Sequence, residues 1–179
     1  AAAVYTQNLV CGAPVTVTKQ NLADGKARAV VCNSGIANTC NADGVEKARG
    51  MCEITAKALG IAPTDVIVAS TGVIGQPLDL SPVEQGMPQL IGELSKAGSD
   101  HAAQAIMTTD TRKKEFALTF MLGGKGCTIG AISKGSGMIH PNMATMLCFI
   151  TTDVAISTPM LQKALSAAVA LSLIHISEP

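Results

Sequence analysis

Aromatic side chains are scarce in this sequence: they are 2% of 179 residues, with no Trp, one Tyr and three Phe. Tyr5, Phe116, Phe120 and Phe149 are too few and too scattered to build a base-stacking platform. Charge of one sign is lacking as well, because 13 Lys and Arg balance 13 Asp and Glu. With no positive field to gather phosphates and little to stack on bases, nucleic-acid binding is disfavoured. Long apolar runs are also missing. The apolar stretch without a formal charge from Ala164 to Ser177 falls short of the roughly 20 residues a membrane helix needs, so a cytoplasmic protein without a membrane partner is expected.

The six cysteines (Cys11, Cys32, Cys40, Cys52, Cys127, Cys148) form no CxxC pair, and His101, His140 and His175 lie far apart at no ligand spacing. That pattern excludes a zinc site and a disulfide framework; the cysteines read as small core hydrophobes in a reducing compartment. Neither GxGxxG nor GxxxxGK[ST] occurs, and Gly124-Lys125-Gly126 sits in a hairpin rather than before a helix. A GxSxG elbow is absent too, so a Ser/His/Asp triad has no local support. No cofactor is expected.

Hydrophobic residues make up 47% of the chain and charged ones 15%, the composition of a folded single domain. Short apolar segments alternate with helical patterns, giving a mixed α/β reading. Candidate strands are Pro14 to Thr18, Ala27 to Cys32, Val66 to Ala69, Glu115 to Leu122, Cys127 to Ile132 and Met146 to Thr152. Gly123-Gly124 joins the fourth and fifth as a hairpin expected to be buried on both faces. The clearest helix is Val45 to Leu59, with Val45, Ala48, Cys52, Ala56 and Leu59 as one stripe, Asp43 and Glu46 as a capping box and Gly60 as the left-handed stop. A shorter helix starts at Ser81-Pro82, with Gly86 and Pro88 expected to interrupt it; others cover Asp100 to Met107 and Pro159 to Leu171.

Polar residues stand among apolar ones at three places: Lys134 to Leu147 (KGSGMIHPNMATML), Ser70-Thr71-Gly72 after a strand, and Thr108-Thr109-Asp110-Thr111 between a helix and a strand. The first, above all Asn142-Met143-Ala144-Thr145-Met146-Leu147 after Lys134-Gly135-Ser136-Gly137, resembles the self-cleavage and nucleophile segment of the ornithine acetyltransferases of arginine biosynthesis. Asn33-Ser34-Gly35 with Ala37-Asn38, Ser70 to Gly75 and Met107 to Thr111 resemble further family motifs in the family's order, and weaker similarity covers Val4 to Asn8 and Ala13 to Thr18. The resemblance runs to about Ala170. It departs at Ile36, where family members often carry Asn, and at Leu171 to Pro179 (LSLIHISEP), which is set aside as a sequencing-adapter scar.

The chemistry of such a segment is simple to state. Thr145 Oγ attacks the Ala144 carbonyl, and hydrolysis of the resulting ester frees an N-terminal Thr145. The new α-amine has a pKa of about 7.7 to 8.0 and serves as the base for its own hydroxyl. The resemblance assigns the oxyanion to Thr71 and Gly72 and makes Thr108 and Lys134 substrate contacts, Lys134 suiting an α-carboxylate. It implies a four-layer α/β/β/α sandwich and ping-pong transfer of acetyl from N-acetylornithine to glutamate, with acetyl-CoA open as a further donor. It also implies two chains cut from one precursor, residues 1–144 as an α chain lacking its start and 145–179 as the opening of a β chain, in an α2β2 heterotetramer. Taken singly, Thr145 is a β-former, Lys134 a solvated lysine and His140 a structural side chain, while Asn33, Ser34 and Asn38 shape loops. Two other readings stay open: an N-terminal-nucleophile aminopeptidase of related fold, and a truncated, inactive binding domain.

Overall fold

The computed structural model describes residues 1–135 and 146–171. Two sheets organise it. β1 (Ala29–Asn33) and β2 (Val66–Ser70) pair in parallel, Val31 opposite Val68, and helix α2 (Gly44–Leu59) makes the crossover between them. Strands β3 (Lys114–Leu122), β4 (Lys125–Lys134) and β5 (Leu147–Thr152) form an antiparallel sheet with β4 in the centre. Helices α1 (Ala13–Asn21), α3 (Ser81–Gly92), α4 (Ser99–Ala105) and α5 (Thr158–Leu171), with a single 3-10 turn at Pro63–Asp65, complete the described elements. This is the mixed α/β class that the sequence implies.

The core gathers where α1 and α2 meet the parallel pair. Val17, Val31, Ala48, Met51, Cys52, Ala56, Val66 and Val68 close it, with Leu78 from the loop before α3. The stripe of α2 is centred one residue over from the expected one, because Met51 and Thr55 are buried while Val45 and Leu59 are half-exposed. Thr55 tolerates burial by donating its hydroxyl to the Met51 carbonyl at 2.8 Å. Gly60 ends the helix in the left-handed region, φ 66°, as expected. Asp43 sits at the N-cap but makes no capping bond; its carboxylate lies 3.9 Å from Lys47 instead.

Pro14 to Thr18 is helix, not strand. The alternation of PVTVT hides a helical period, since the buried residues are Pro14, Val17 and Thr18, at i, i+3 and i+4. Pro14 near the N-terminus of α1 lends its fixed φ, and the tertiary partner decides the rest. Thr18 Oγ1 donates to the Val68 carbonyl at 2.7 Å and accepts the Val68 N–H at 3.1 Å. Asn21 Nδ2 donates to the Val66 carbonyl at 2.8 Å. Two helix side chains therefore satisfy the edge of β2 that β1 leaves unpaired, a need no local pattern reveals.

Three more expectations change. Helix α3 runs through Gly86 and Pro88 to Gly92; Pro88 and Glu84, whose carbonyl it cannot serve, are both exposed residues, and Met87 is buried beside them. Gly123 and Gly124 form the expected two-residue hairpin, both at positive φ (57° and 77°), but the hairpin is not buried on both faces. Phe116, Leu118, Met121 and Leu122 of β3 are 61, 50, 69 and 53% exposed, because α4 is the only helix making more than slight contact with it among the described residues. Of the six cysteines just Cys52 is fully buried; burial pushes its thiol up to about 11.

The Thr18 contact yields a stability test. Thr18→Val keeps the shape but strands one buried N–H and one buried carbonyl of Val68, a cost of about 2 to 4 kcal/mol. Urea unfolding should read that loss with an unchanged slope; a loss below about 1 kcal/mol would mean that water replaces the hydroxyl.

Candidate active site

The parallel pair ends in two loops that run side by side. Thr71 N–H donates to Asn33 O at 2.9 Å, Val73 N–H to Gly35 O at 3.1 Å and Ala37 N–H to Val73 O at 2.8 Å. Gly72 stands between two of these donors, and its own N–H has no backbone acceptor among the described residues. The Asn33 side chain shapes its loop as expected, accepting from Gly35 N–H at 2.9 Å and donating to Ile36 O at 2.6 Å. Ser34 Oγ donates to Ala105 O at 2.6 Å and ties this loop to the end of α4. Asn38, at φ 51°, donates to Gly44 O at 2.8 Å.

Gly72 has φ 118°, and a Cβ built there would lie 2.2 Å from the Gly35 carbonyl oxygen. No side chain fits. Two backbones approach as closely as glycine allows, which delivers Thr71 and Gly72 to the rim of a cleft of about 1450 Å³. Ser34, Thr71, Gly72, Thr108, Lys134 and Met146 are among the residues lining it.

Lys134, the last residue of β4, is 2% exposed. Its Nζ donates to Thr71 Oγ1 at 3.1 Å, and Thr71 itself is 5% exposed. A buried ammonium has lost its water, and that desolvation lowers the Lys134 pKa; the Asp110 carboxylate and the Cys32 thiol act in the opposite direction, while Lys114 adds to the lowering. Because Thr71 Oγ1 accepts from Lys134, its own hydrogen is left to donate elsewhere. The arrangement offers a donor pair, the Thr71 hydroxyl and the Gly72 amide, beside a fixed positive charge. Such a set can stabilise an anion that forms on a bound acyl oxygen.

Of the residues singled out in the sequence, Thr71, Gly72, Thr108 and Lys134 come together on this cleft although up to 63 residues separate them in the chain. Ala144, Thr145 and His140 lie outside the described residues. The nearest described neighbour of Thr145 in sequence, Met146, lines the cleft. Asp110 belongs to a quoted motif but carried no role of its own; its carboxylate is 2% exposed and meets Gly135, Thr108 and Lys114. A carboxylate in a Thr-Thr-Asp-Thr turn reads as a turn former, and the return of β4 adds the Gly135 N–H to its partners. No group of three or more His, Cys, Asp or Glu suited to a metal ion occurs among the described residues, and no helix among them is long and apolar enough to cross a membrane.

The glycine geometry is testable by contrast. Gly72→Ala should cost about 3 kcal/mol or more, from positive φ and the clash with Gly35 together. Gly86→Ala, in helix α3 with open space around it, should gain about 0.5 to 1 kcal/mol. Chemical denaturation of both variants checks the pair; equal effects would show that the close approach is not maintained in solution.

The ArgJ family profile matches residues 1–177. The arginine biosynthesis bifunctional protein ArgJ of Symbiobacterium thermophilum is 51% identical over 169 residues, which is 94% of this chain and 42% of that protein. ArgJ 1 of Clostridium acetobutylicum is 50% identical over 170 residues, again 94% and 42%. The chain thus spans less than half the length of these relatives. Among solved structures, the arginine biosynthesis bifunctional protein argJ of Bacillus halodurans superposes with a TM-score of 0.72 at 38% identity, over 82% of this chain and 76% of that one. Ornithine acetyltransferase of Mycobacterium tuberculosis, solved in complex with ornithine, gives 0.67 at 33% identity, over 82% and 77%.

Proposed function

Because the chain belongs to the ArgJ family, we propose that it carries the acyl-transfer centre of a threonine-nucleophile acetyltransferase that moves acetyl from N-acetylornithine to glutamate. The observation that carries the reading is the buried contact of Lys134 Nζ with Thr71 Oγ1 at 3.1 Å, beside Gly72 on the wall of the cleft. That wall has a hydroxyl and an amide for an acyl oxygen, and a cation for an α-carboxylate. The relative solved with ornithine supports an amino-acid ligand of this kind.

In this reading Thr145 Oγ attacks the Ala144 carbonyl and the peptide shifts to an ester. Water cleaves the ester and leaves Thr145 with a free amine. That amine takes the Oγ proton as Oγ attacks the acetyl carbonyl of N-acetylornithine. The negative charge that forms on the acetyl oxygen is met by the Thr71 hydroxyl and the Gly72 N–H, while Lys134 orients Thr71 and holds the substrate carboxylate. Ornithine leaves with the proton, the acetyl group stays on Thr145 Oγ, and the amine of glutamate takes it in the second half. Thr108, which also lines the cleft, is assigned a substrate contact.

Residues up to 144 then belong to an α chain and residues 145–170 to the opening of a β chain, two of each chain associating in an α2β2 enzyme of the cytoplasm. No cofactor is required, and acetyl-CoA is a further donor for members that use it. Release of ornithine that depends on glutamate separates this transfer from hydrolysis by an aminopeptidase of related fold.

Two substitutions test the reading in a full-length protein carrying this sequence. Thr145→Ala should abolish both chain cleavage and transfer, and Thr145→Ser should keep part of each, as read by intact mass and an ornithine-release assay. Acetyl trapped on another residue would redirect the assignment. Thr71→Ala should lower kcat by about 10² to 10³ with little change in KM, since the hydroxyl helps once charge develops. A raised KM with normal kcat would make Thr71 a ground-state contact.

A further inference from the structure

Asp110 lies in the link between α4 and β3, and its side chain is 2% exposed. A carboxylate at that depth persists only if its lone pairs are filled. Oδ1 accepts the Gly135 N–H at 2.8 Å and pairs with Lys114 Nζ, while Oδ2 faces the Thr108 N–H at 3.4 Å. Its partners are thus the residue that follows Lys134, the cleft-lining Thr108, and a cation of β3. A Cβ at Gly135 would lie 3.3 Å from Asp110 Oδ1, so the strand end sits tightly against the carboxylate.

We propose that Asp110 is the positioning residue of this site, clamping the end of β4 to the turn at Thr108 and supplying the counter-charge for the Lys134 ammonium beside Thr71. Among the described residues its partners are Gly135, Thr108 and Lys114, not a group assigned to the chemistry of the acyl oxygen. It acts through Lys134 and Thr108, and its consequence for catalysis rests on the acyl-transfer reading above. Among the described residues, the charged or titratable groups that face Lys134 are Asp110 from the link, Cys32 from β1 and Lys114 from β3, with Thr71 as the neutral partner at the end of β2. Burial pushes the Cys32 thiol up to about 12, so it stays neutral at working pH. Burial also acts to raise the Asp110 carboxyl, but the Lys114 ammonium and the N–H groups of Gly135 and Thr108 outweigh it and hold the carboxyl below its ordinary value. Among the described residues, Asp110 is therefore a negative charge that favours the ammonium form of Lys134. Lys114, 51% exposed, works against it. The signs follow: removing Asp110 moves Lys134 deprotonation to lower pH, and removing Lys114 moves it to higher pH.

The test uses the full-length protein with ¹³C-labelled lysine, the Lys134 signal being assigned by its loss in Lys134→Arg. In Asp110→Asn, which keeps the size of the side chain, the Lys134 titration midpoint should fall. The alkaline limb of kcat/KM should fall with it, through a KM for the acetyl donor raised about tenfold at the alkaline end. In Lys114→Met, a substitution at a half-exposed site, the midpoint should rise. An unchanged midpoint in a folded Asp110→Asn protein overturns the proposal. If that variant does not fold, an unchanged or lowered midpoint in Lys114→Met overturns it instead. Wild-type protein without acetyl transfer would defeat the functional reading, whereas the titration decides the role of Asp110 independently of turnover.

Discussion

A lysine ammonium almost entirely removed from water must be solvated by the protein, and the arrangement of the cleft follows from that need. Lys134 ends β4, and the hydroxyl that meets it belongs to Thr71, just past the end of β2. The bond therefore joins the antiparallel sheet to the parallel pair. The same burial explains the carboxylate at Asp110, since an ion stripped of water is tolerable only with an opposite charge and filled hydrogen bonds nearby.

The second constraint is steric. Gly72 and Gly35 bring two backbones together closer than any Cβ permits. The parallel register of β1 and β2 makes the approach possible, because Asn33 stands opposite Ser70 at the very end of the pair. Beyond that point the strands give way to loops that continue to exchange hydrogen bonds, and the amide between two inward donors is left over. The donor pair is thus a product of strand ends rather than of a dedicated loop, in keeping with the way parallel strands present ligand sites at their C-terminal ends.

Apolar area tells a complementary story. The core under α1 and α2 is closed, yet β3 presents Phe116, Leu118, Met121 and Leu122 to solvent. An exposed strand of this composition is unusual for a chain standing alone. It accords with a chain that spans less than half the length of its relatives.

The α2 helix and its Gly60 stop, both strands of the parallel pair, the Gly123-Gly124 hairpin and the order of the three motif segments were all legible in the sequence, because periodicity, turn chemistry and residue order are local properties. So was the family, since strings such as KGSGMI and PNMATML carry information that composition does not. Other features were decided by tertiary structure. PVTVT became a helix because Thr18 and Asn21 were needed at the edge of β2, and α3 ran through Pro88 at a position where both Pro88 and Glu84 are exposed. The burial of Lys134, its contact with Thr71 and the clamp at Asp110 join positions up to 63 residues apart. Composition and local pattern show that a lysine and a threonine are present, but only the packing of one sheet against another removes the water that makes their meeting necessary.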